Sequence, residues 1–237
     1  MSTIINCSTV YAHLSATDAV AAARADGYST VEFWWPFNRP VPSPEEISAF
    51  CNLFDDGVQL YAMNLWGGDM GSGQRGVLHV EPLPVGHLEV VERIAAETGL
   101  QCSNVLLGRS GQLTDAQVER LAEITAQLKT GGVRALIEPL SGMTDYPITN
   151  PWQADELAKR TGAGVLADFY HFAANGIDVE EWLADVSSGT VSLPEHVQIA
   201  DFPGRGAPGT GSAPLTEWIN RLAAAGYSGR VAGEWTS

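Results

Sequence analysis

The chain has 237 residues, 45% of them hydrophobic, and a formal net charge of −15. Its 13 basic residues form no cluster, so it lacks the positive surface on which nucleic-acid binding depends. No apolar run approaches the roughly 20 residues of a membrane-spanning helix, and the amino terminus shows no secretion signal. We therefore expect a cytoplasmic protein without a membrane or nucleic-acid partner.

Short apolar runs alternate with helix-like segments along the chain. The first helix is expected to begin with Thr17 as its cap, the second with a capping box of Ser43 and Glu46, and the fifth with Asn150 before Pro151. The predicted strands are TIINC, TVEFWW, QLYAMN, CSNVLLG, ALIEP, GVLAD, HVQIAD and RVAGEW. The predicted helices lie within TDAVAAARADG, SPEEISAFCNLFDDG, VGHLEVVERIAAETG, TDAQVERLAEITAQLKTGG, NPWQADELAKRTG, DVEEWLADV and PLTEWINRLAAAG.

Strict alternation of near-continuous apolar strands with helices predicts a parallel sheet covered by helices. Eight such units fit a closed (β/α)₈ barrel, or TIM barrel, as a single domain over residues 1–237. A doubly wound open sheet is the alternative, but it would normally carry a GxGxxG turn where this chain reads STVYAHLS. Only Trp235, Thr236 and Ser237 follow Glu234, so the last helix is missing or truncated. We hypothesise that a partner subunit of a homo-oligomer covers the exposed strands.

Four oxygen-bearing side chains close the last four predicted strands. They are Glu138, Asp168, Gln198 and Glu234, at spacings of 30, 30 and 36 residues. This is the period of one strand plus one helix, so all four should emerge at the end of the barrel where such sheets build ligand sites. A hard divalent cation would offset the cost of gathering like charges there, and an all-oxygen set suits Mg²⁺ or Mn²⁺ better than zinc.

Six segments together resemble the hydroxypyruvate isomerase family of the xylose-isomerase-like barrel superfamily. They are VEFWWPF, GGDMGSGQRG, LIEPLSG, LADFYH, HVQIADFPGR and AGYSGRVAGEW. The resemblance implies that Glu138 and Glu234 are the catalytic acid/base pair. It also implies that Asp168 and Gln198 complete, with these glutamates, the shell of one Mg²⁺ or Mn²⁺ ion.

Three further residues are predicted to lie near the substrate. The resemblance implies that His171 contacts the substrate and that Arg205 is a substrate-binding residue, whose planar guanidinium can hold both oxygens of a carboxylate. Glu32 ends the second strand and is a candidate for binding the substrate or for supporting the metal ligands through a hydrogen bond to His171 or a neighbour. We favour support. The glycine-rich segment NLWGGDMGSGQRG is predicted to be a mobile cover that closes on the substrate.

The resemblance predicts isomerisation of hydroxypyruvate to tartronate semialdehyde (2-hydroxy-3-oxopropanoate), through an enediolate between two glutamates. A 2-oxo-tetronate isomerase or a ketose 3-epimerase is an alternative on the same residues, because pocket length is not readable from the sequence. A DNA-repair endonuclease of the same superfamily is disfavoured by five scattered histidines and the charge of −15. A noncatalytic sugar-acid binding protein is the alternative from another class, but binding alone would not need both glutamates.

Overall fold

In a computed structural model, residues 3–54 and 57–236 are described, and they form one closed barrel of eight parallel strands. The strands are β1 Ile4–Asn6, β2 Thr30–Phe33, β3 Gln59–Asn64, β4 Cys102–Asn104, β5 Arg134–Ile137, β6 Gly164–Asp168, β7 His196–Ile199 and β8 Val231–Gly233. Each strand pairs with its neighbours in sequence, and β8 closes the barrel on β1 by pairing Gly233 with Ile5. The predicted TIM barrel is confirmed, and the closure rules out an open sheet.

Nine α-helices lie within the described residues. They are α1 Cys7–Val10, α2 Ala16–Ala25, α3 Pro44–Cys51, α4 His87–Thr98, α5 Asp115–Thr130, α6 Pro151–Thr161, α7 Phe169–Ala174, α8 Val179–Ser188 and α9 Leu215–Ala224. Seven of them match predicted helices, although Asp55 and Asp56 of the second predicted segment lie outside the described residues. The sequence did not reveal α1 and α7 because four and six residues are too few to show a helical period. None of the helices described is both long and apolar enough to cross a bilayer.

The predicted helix caps are confirmed at α3 and α6 but wrong at α2. In α3 the Ser43 hydroxyl accepts the Glu46 backbone N–H, and the Glu46 carboxylate accepts the Ser43 N–H. Asn150 caps α6. In α2 the cap is Ser15, because the helix begins two residues earlier than a cap at Thr17 would allow.

An aromatic cluster packs around α7, the short helix that directly follows β6. The rings of Phe169 and Phe172 on α7 pack edge-to-face against Trp182 of α8, with the Phe172 and Trp182 centroids 5.1 Å apart. Trp218 of α9 packs against Phe169 in the same manner at 5.4 Å. These side chains are buried, so they hold rigidly the short helix that follows Asp168.

No helix follows β8 in the described part of the chain, as predicted. Trp235 instead packs close to Gly233 and Ile5, and the Thr236 N–H donates to the Arg205 carbonyl at 2.9 Å. Every residue of β1 and β8 is buried within this single chain. The strands therefore do not need a partner to cover them, and the homo-oligomer stays a prediction.

We expect Ser43→Ala to lower the free energy of unfolding by about 1 kcal/mol, because it removes the acceptor that caps α3. Urea denaturation followed by circular dichroism measures the change. The matched control is Ser187→Ala, whose hydroxyl bonds the Leu183 carbonyl within α8. Alanine is the better helix former there, so stability should be unchanged or slightly raised. Equal losses in the two variants would contradict the role of the capping box.

Candidate active site

A pocket of about 170 Å³ opens at the carboxyl ends of the strands. Four of the residues predicted from the sequence line it: Glu138, His171, Arg205 and Glu234. They come from the ends of β5, β6, β7 and β8, which are neighbours around the barrel. The barrel thus brings together side chains that lie up to 96 residues apart in sequence.

Asp168 is the last residue of β6, and its two oxygens have different roles. Oδ1 accepts the Tyr170 N–H at 2.8 Å and so caps α7. Oδ2 is buried and accepts no hydrogen bond from the described residues. His171 Nε2 lies 3.6 Å from Oδ2, and the Arg205 guanidinium lies 3.7 Å from it through Nη2. A buried oxygen without a partner is unfavourable by itself, so Oδ2 is available to a ligand.

Glu138 directly follows β5 and is buried beside two other carboxylates. Asn104 Nδ2 donates to its Oε2 at 2.7 Å, and its Oε1 lies 3.6 Å from His171 Nε2. Burial raises the pKa of Glu138 well above the usual range, and the negative charges of Glu234 and Asp168 raise it further. The charged form of Glu138 therefore lacks full compensation from the residues around it.

Glu234 directly follows β8 and accepts three hydrogen bonds. Its Oε1 accepts from Asn6 Nδ2 at 3.1 Å and from Trp34 Nε1 at 2.9 Å, and its Oε2 accepts from Arg205 Nη2 at 2.9 Å. Burial raises the pKa of this carboxyl to about 8, although the Arg205 charge acts in the opposite direction. Both oxygens of Glu234 are thus fixed in orientation while its proton affinity stays high.

His171 is held by the loop after β5. The Ser141 backbone N–H donates to Nδ1 at 3.0 Å, and the Ser141 hydroxyl lies 2.7 Å from the same nitrogen. Burial lowers the pKa of His171 to about 4, so the ring is neutral and carries its proton on Nε2. This Nε2–H faces Glu138 and Asp168, and ligand atoms of the three residues lie within 4.8 Å of one another. A protonated Nε2 can donate to a substrate oxygen, which agrees with the predicted substrate contact.

Gln198 pairs in register with Asp168 on the neighbouring strand, but it lies deeper in the barrel than the pocket. Its Nε2 donates to Glu32 Oε1. Its Oε1 is buried and has no hydrogen-bond partner among the described residues. Because Glu32 holds the amide nitrogen, the amide oxygen of Gln198 is the atom left for a ligand.

Glu32 does not line the pocket, and it is only 1% exposed. Its carboxylate accepts hydrogen bonds from Asn6 Nδ2 at 3.0 Å, from His196 Nε2 at 2.7 Å and from Gln198 Nε2. The location agrees with support rather than substrate binding. Its partners do not include His171, the first of the predicted alternatives, because Glu32 lies within β2 and borders a small cavity that it shares with Asn6 and Gln198.

Sequence reasoning missed Asn6, Asn104 and the hydrogen bond of Trp34 as parts of the site. Asn6 and Asn104 end β1 and β4, so they carry the same signal, a polar residue closing an apolar run, that identified the four ligands. Trp34 directly follows β2. Its indole N–H contacts Glu234 across 200 residues of sequence, and no local pattern reveals such a contact.

A second pocket of about 260 Å³ adjoins the first, and four aromatic residues are part of its lining. Trp34 borders both pockets, and Trp35, Phe37 and Trp66 line the second one. The aromatic residues after β2 thus form walls beside the carboxylates. They give the site room beyond the space directly above Glu138 and Glu234.

The glycine-rich loop after β3 also borders both pockets and is fastened to the loop after β4. The Gly76 N–H donates to the Gly67 carbonyl at 2.8 Å, and the Gly108 N–H donates to the Arg75 carbonyl at 2.7 Å. Gly76 has φ +96°, and a Cβ at this position would lie 2.0 Å from the Leu106 carbonyl oxygen. Only glycine fits there. The closing motion predicted for this loop stays a prediction.

Residues 20–237 match the family described as xylose isomerase-like TIM barrel, and the chain belongs to this family. A putative hydroxypyruvate isomerase of Streptomyces coelicolor is 34% identical to it, over 98% of this chain and 89% of that protein. The chain therefore also belongs to the hydroxypyruvate isomerase family, as the sequence motifs predicted, and it is an isomerase.

Two further proteins are similar to the chain. A 2-oxo-tetronate isomerase of Pectobacterium atrosepticum is 23% identical over 97% of this chain and 90% of that protein. Among solved structures, the AP endonuclease, family 2, of Brucella melitensis superposes with a TM-score of 0.84 at 21% identity. That alignment covers 99% of this chain and 93% of the other. It shows the shared fold alone.

We expect Gly76→Ala to destabilise the protein more than Gly111→Ala. Both glycines have positive φ, but a Cβ at Gly111 meets nothing within 4 Å, whereas one at Gly76 collides with the Leu106 carbonyl. The free energy of unfolding of the Gly111 variant should therefore fall only by the about 1–2 kcal/mol that a positive φ costs an alanine. Urea denaturation of both variants measures the difference. Equal losses would show that the glycine-rich loop is not held against the loop after β4.

Proposed function

We propose that the protein interconverts hydroxypyruvate and tartronate semialdehyde. The observation that carries this proposal is the pair of buried glutamates, Glu138 and Glu234, which face one small pocket and have raised pKa values. The pocket of about 170 Å³ is smaller than those that enclose drug-sized ligands, about 300–1,000 Å³. Its size suits a substrate as small as a three-carbon acid.

The reaction moves one proton between neighbouring carbons. One glutamate removes a proton from the hydroxymethyl carbon of hydroxypyruvate, which leaves an enediolate, and the other group delivers a proton to the former carbonyl carbon. The hydroxyl proton passes to the oxygen of that central carbon, so the product is an aldehyde with the same atoms. Each positioned acid or base contributes about 10²–10⁴-fold to the rate. The pKa of about 8 for Glu234 supports its use as such a group near neutral pH.

The site residues fit one divalent ion, which Glu138, Asp168, Gln198 and Glu234 would hold. Asp168 Oδ2 and Gln198 Oε1 support this fit because both are buried oxygens without partners. The raised pKa values of the two glutamates support it too, because positive charge is what their ionised forms lack. An all-oxygen shell suits Mg²⁺ or Mn²⁺. When bound, such an ion polarises substrate oxygens and stabilises developing negative charge.

The remaining site residues orient these groups and the substrate. His171 offers its Nε2–H to a substrate oxygen, while Asn104 holds Glu138. Arg205 borders the pocket and is our second predicted substrate contact, although its Nη2 already donates to Glu234.

A 2-oxo-tetronate isomerase is the second candidate function. The adjoining aromatic pocket of about 260 Å³ favours it, because a four-carbon acid would need space beyond the carboxylates. A ketose 3-epimerase would use the same glutamates on a longer neutral chain. A noncatalytic binding protein is disfavoured, because two glutamates buried side by side are costly unless proton transfer needs both.

We expect Glu138→Gln and Glu234→Gln each to lower the turnover of hydroxypyruvate by about 10²-fold or more, because the amide cannot exchange the proton. Nuclear magnetic resonance in D₂O measures turnover and locates the deuterium introduced. The matched control is Glu123→Gln, at an exposed position of α5, and it should keep wild-type activity. Wild-type rates in either site variant would refute the acid/base pair.

Removal of metal by EDTA should abolish turnover, and Mg²⁺ or Mn²⁺ should restore it. The same ions should raise the melting temperature of the metal-free protein, because they bind the folded state alone. Asp168→Asn should weaken this stabilisation, whereas Glu123→Gln should preserve it. Full activity after exhaustive chelation, or equal metal binding by Asp168→Asn, would contradict the metal site.

A further inference from the structure

Arg75, in the glycine-rich loop after β3, is a cation of the active-site pocket that the sequence did not single out. Its guanidinium lines the pocket together with Glu138, His171 and Glu234. Its Nη1 donates to the carbonyls of two loop residues, Met70 at 3.2 Å and Gln74 at 2.7 Å. Among the described residues, its Nε and Nη2 have no hydrogen-bond partner, and no carboxylate forms an ion pair with it.

The charge of the other pocket arginine is already compensated. Arg205 Nη2 lies 2.9 Å from Glu234 Oε2 and 3.7 Å from Asp168 Oδ2. Burial disfavours its charged form, yet these carboxylates raise the pKa of Arg205 above its usual value. For Arg75 the direction is opposite: burial, and then the positive charges of Arg109 and Arg205, lower its pKa. Arg75 is therefore the pocket cation whose surroundings favour the binding of an anion.

The count of charges around the pocket points the same way. When ionised, Glu138, Asp168 and Glu234 supply three negative charges. Arg205 and one divalent ion would supply three positive charges. Arg75 adds a positive charge with which no carboxylate of the described residues forms an ion pair. A substrate with a single carboxylate would balance it, whereas a neutral sugar would not.

The backbone fixes the position of Arg75 before any ligand binds. Its carbonyl accepts the Gly108 N–H at 2.7 Å, and the adjacent Gly76 packs against the Leu106 carbonyl at a separation that no side chain allows. The two bonds from Nη1 then fix the guanidinium plane. A donor held in advance loses little freedom on binding, and the free edge can offer two parallel N–H groups to a carboxylate.

We propose that Arg75 binds the substrate carboxylate and thereby selects short 2-oxo acids over neutral ketoses with the same carbon skeleton. The proposal rests on the proposed function and names the residue that sets its substrate class. The proposal assigns the substrate carboxylate to Arg75 rather than to Arg205, because Arg205 already pairs with Glu234.

The test compares two ligands of equal length, hydroxypyruvate and dihydroxyacetone. In dihydroxyacetone a hydroxymethyl group replaces the carboxylate of hydroxypyruvate. For Arg75→Gln in the Mg²⁺-loaded protein, we expect KM for hydroxypyruvate and its calorimetric Kd to rise about 10- to 100-fold. The value of kcat should stay within about threefold, because the contact is made equally in ground and transition states. The Kd for dihydroxyacetone should not change.

Two further variants separate a specific contact from general effects of charge or folding. Arg109→Gln removes the same charge from the neighbouring loop, where Arg109 pairs with Asp145 outside the pocket, and should change the Kd by no more than about twofold. Arg75→Lys keeps the charge without the paired donors, so its loss should be intermediate. If Arg75→Gln does not fold, as judged by circular dichroism, Arg75→Lys is compared with Arg109→Gln in its place.

The outcomes distinguish this proposal from the proposed function. Hydroxypyruvate turnover by the wild type, with unchanged KM and Kd in Arg75→Gln, would overturn the role of Arg75 alone. Absence of turnover by the wild type would overturn the proposed function, and the calorimetric Kd values would still judge Arg75. Equal weakening of both ligands in Arg75→Gln, or equal weakening of hydroxypyruvate by Arg109→Gln, would overturn the carboxylate contact. So would failure of the wild type to bind hydroxypyruvate.

Discussion

The burial of three carboxylates at one end of the barrel is the constraint on which the rest of the site depends. Glu138, Asp168 and Glu234 lie at the carboxyl ends of β5, β6 and β8 and are almost fully removed from water, and Arg205 is the cation beside Asp168 and Glu234. Repulsion and burial raise the proton affinity of the two glutamates. The same arrangement therefore provides groups able to exchange protons near neutral pH and oxygens able to bind a hard cation.

Keeping such a cluster in one geometry requires hydrogen-bond donors at fixed positions, and the barrel supplies them from other strand ends. Asn104 of β4 holds Glu138, and Asn6 of β1 bridges Glu234 and Glu32. Asp168 caps α7 with one oxygen, so helix packing fixes the direction of the other. Parallel strands align all these ends on one rim, and a closed barrel makes the first and last strands neighbours. Each acidic group is held in orientation because it accepts a hydrogen bond from a neighbouring strand end or from a helix N-terminus.

The two pocket arginines differ in whether a carboxylate of the protein pairs with them. Arg205 neutralises the protein's own carboxylates, whereas Arg75 is fixed in position without an anionic partner. In the function we propose, this division separates proton transfer from the choice of substrate charge. The proton-transfer residues need not change, because a loop residue outside the strands sets the charge of the substrate. The loop is anchored at Gly76, so its arginine can act with the precision usually reserved for residues on strands.

Local sequence determined the alternation of strands and helices, two of the three predicted helix caps and the placement of the four candidate ligands at the ends of strands. Each of these depends on near neighbours or on the fixed period of one strand plus one helix, as from Glu138 to Asp168. The contacts among site residues were not readable in this way: the Trp34 indole donates to Glu234 across 200 residues, and the Arg205 guanidinium donates to Glu234. Glu32 likewise proved to lie below the pocket, and Arg75 to lie within it. Sequence periodicity thus fixed which residues reach the rim of the barrel. Barrel closure and loop packing alone decided which of them touch, because those contacts depend on the distances between elements far apart in the chain.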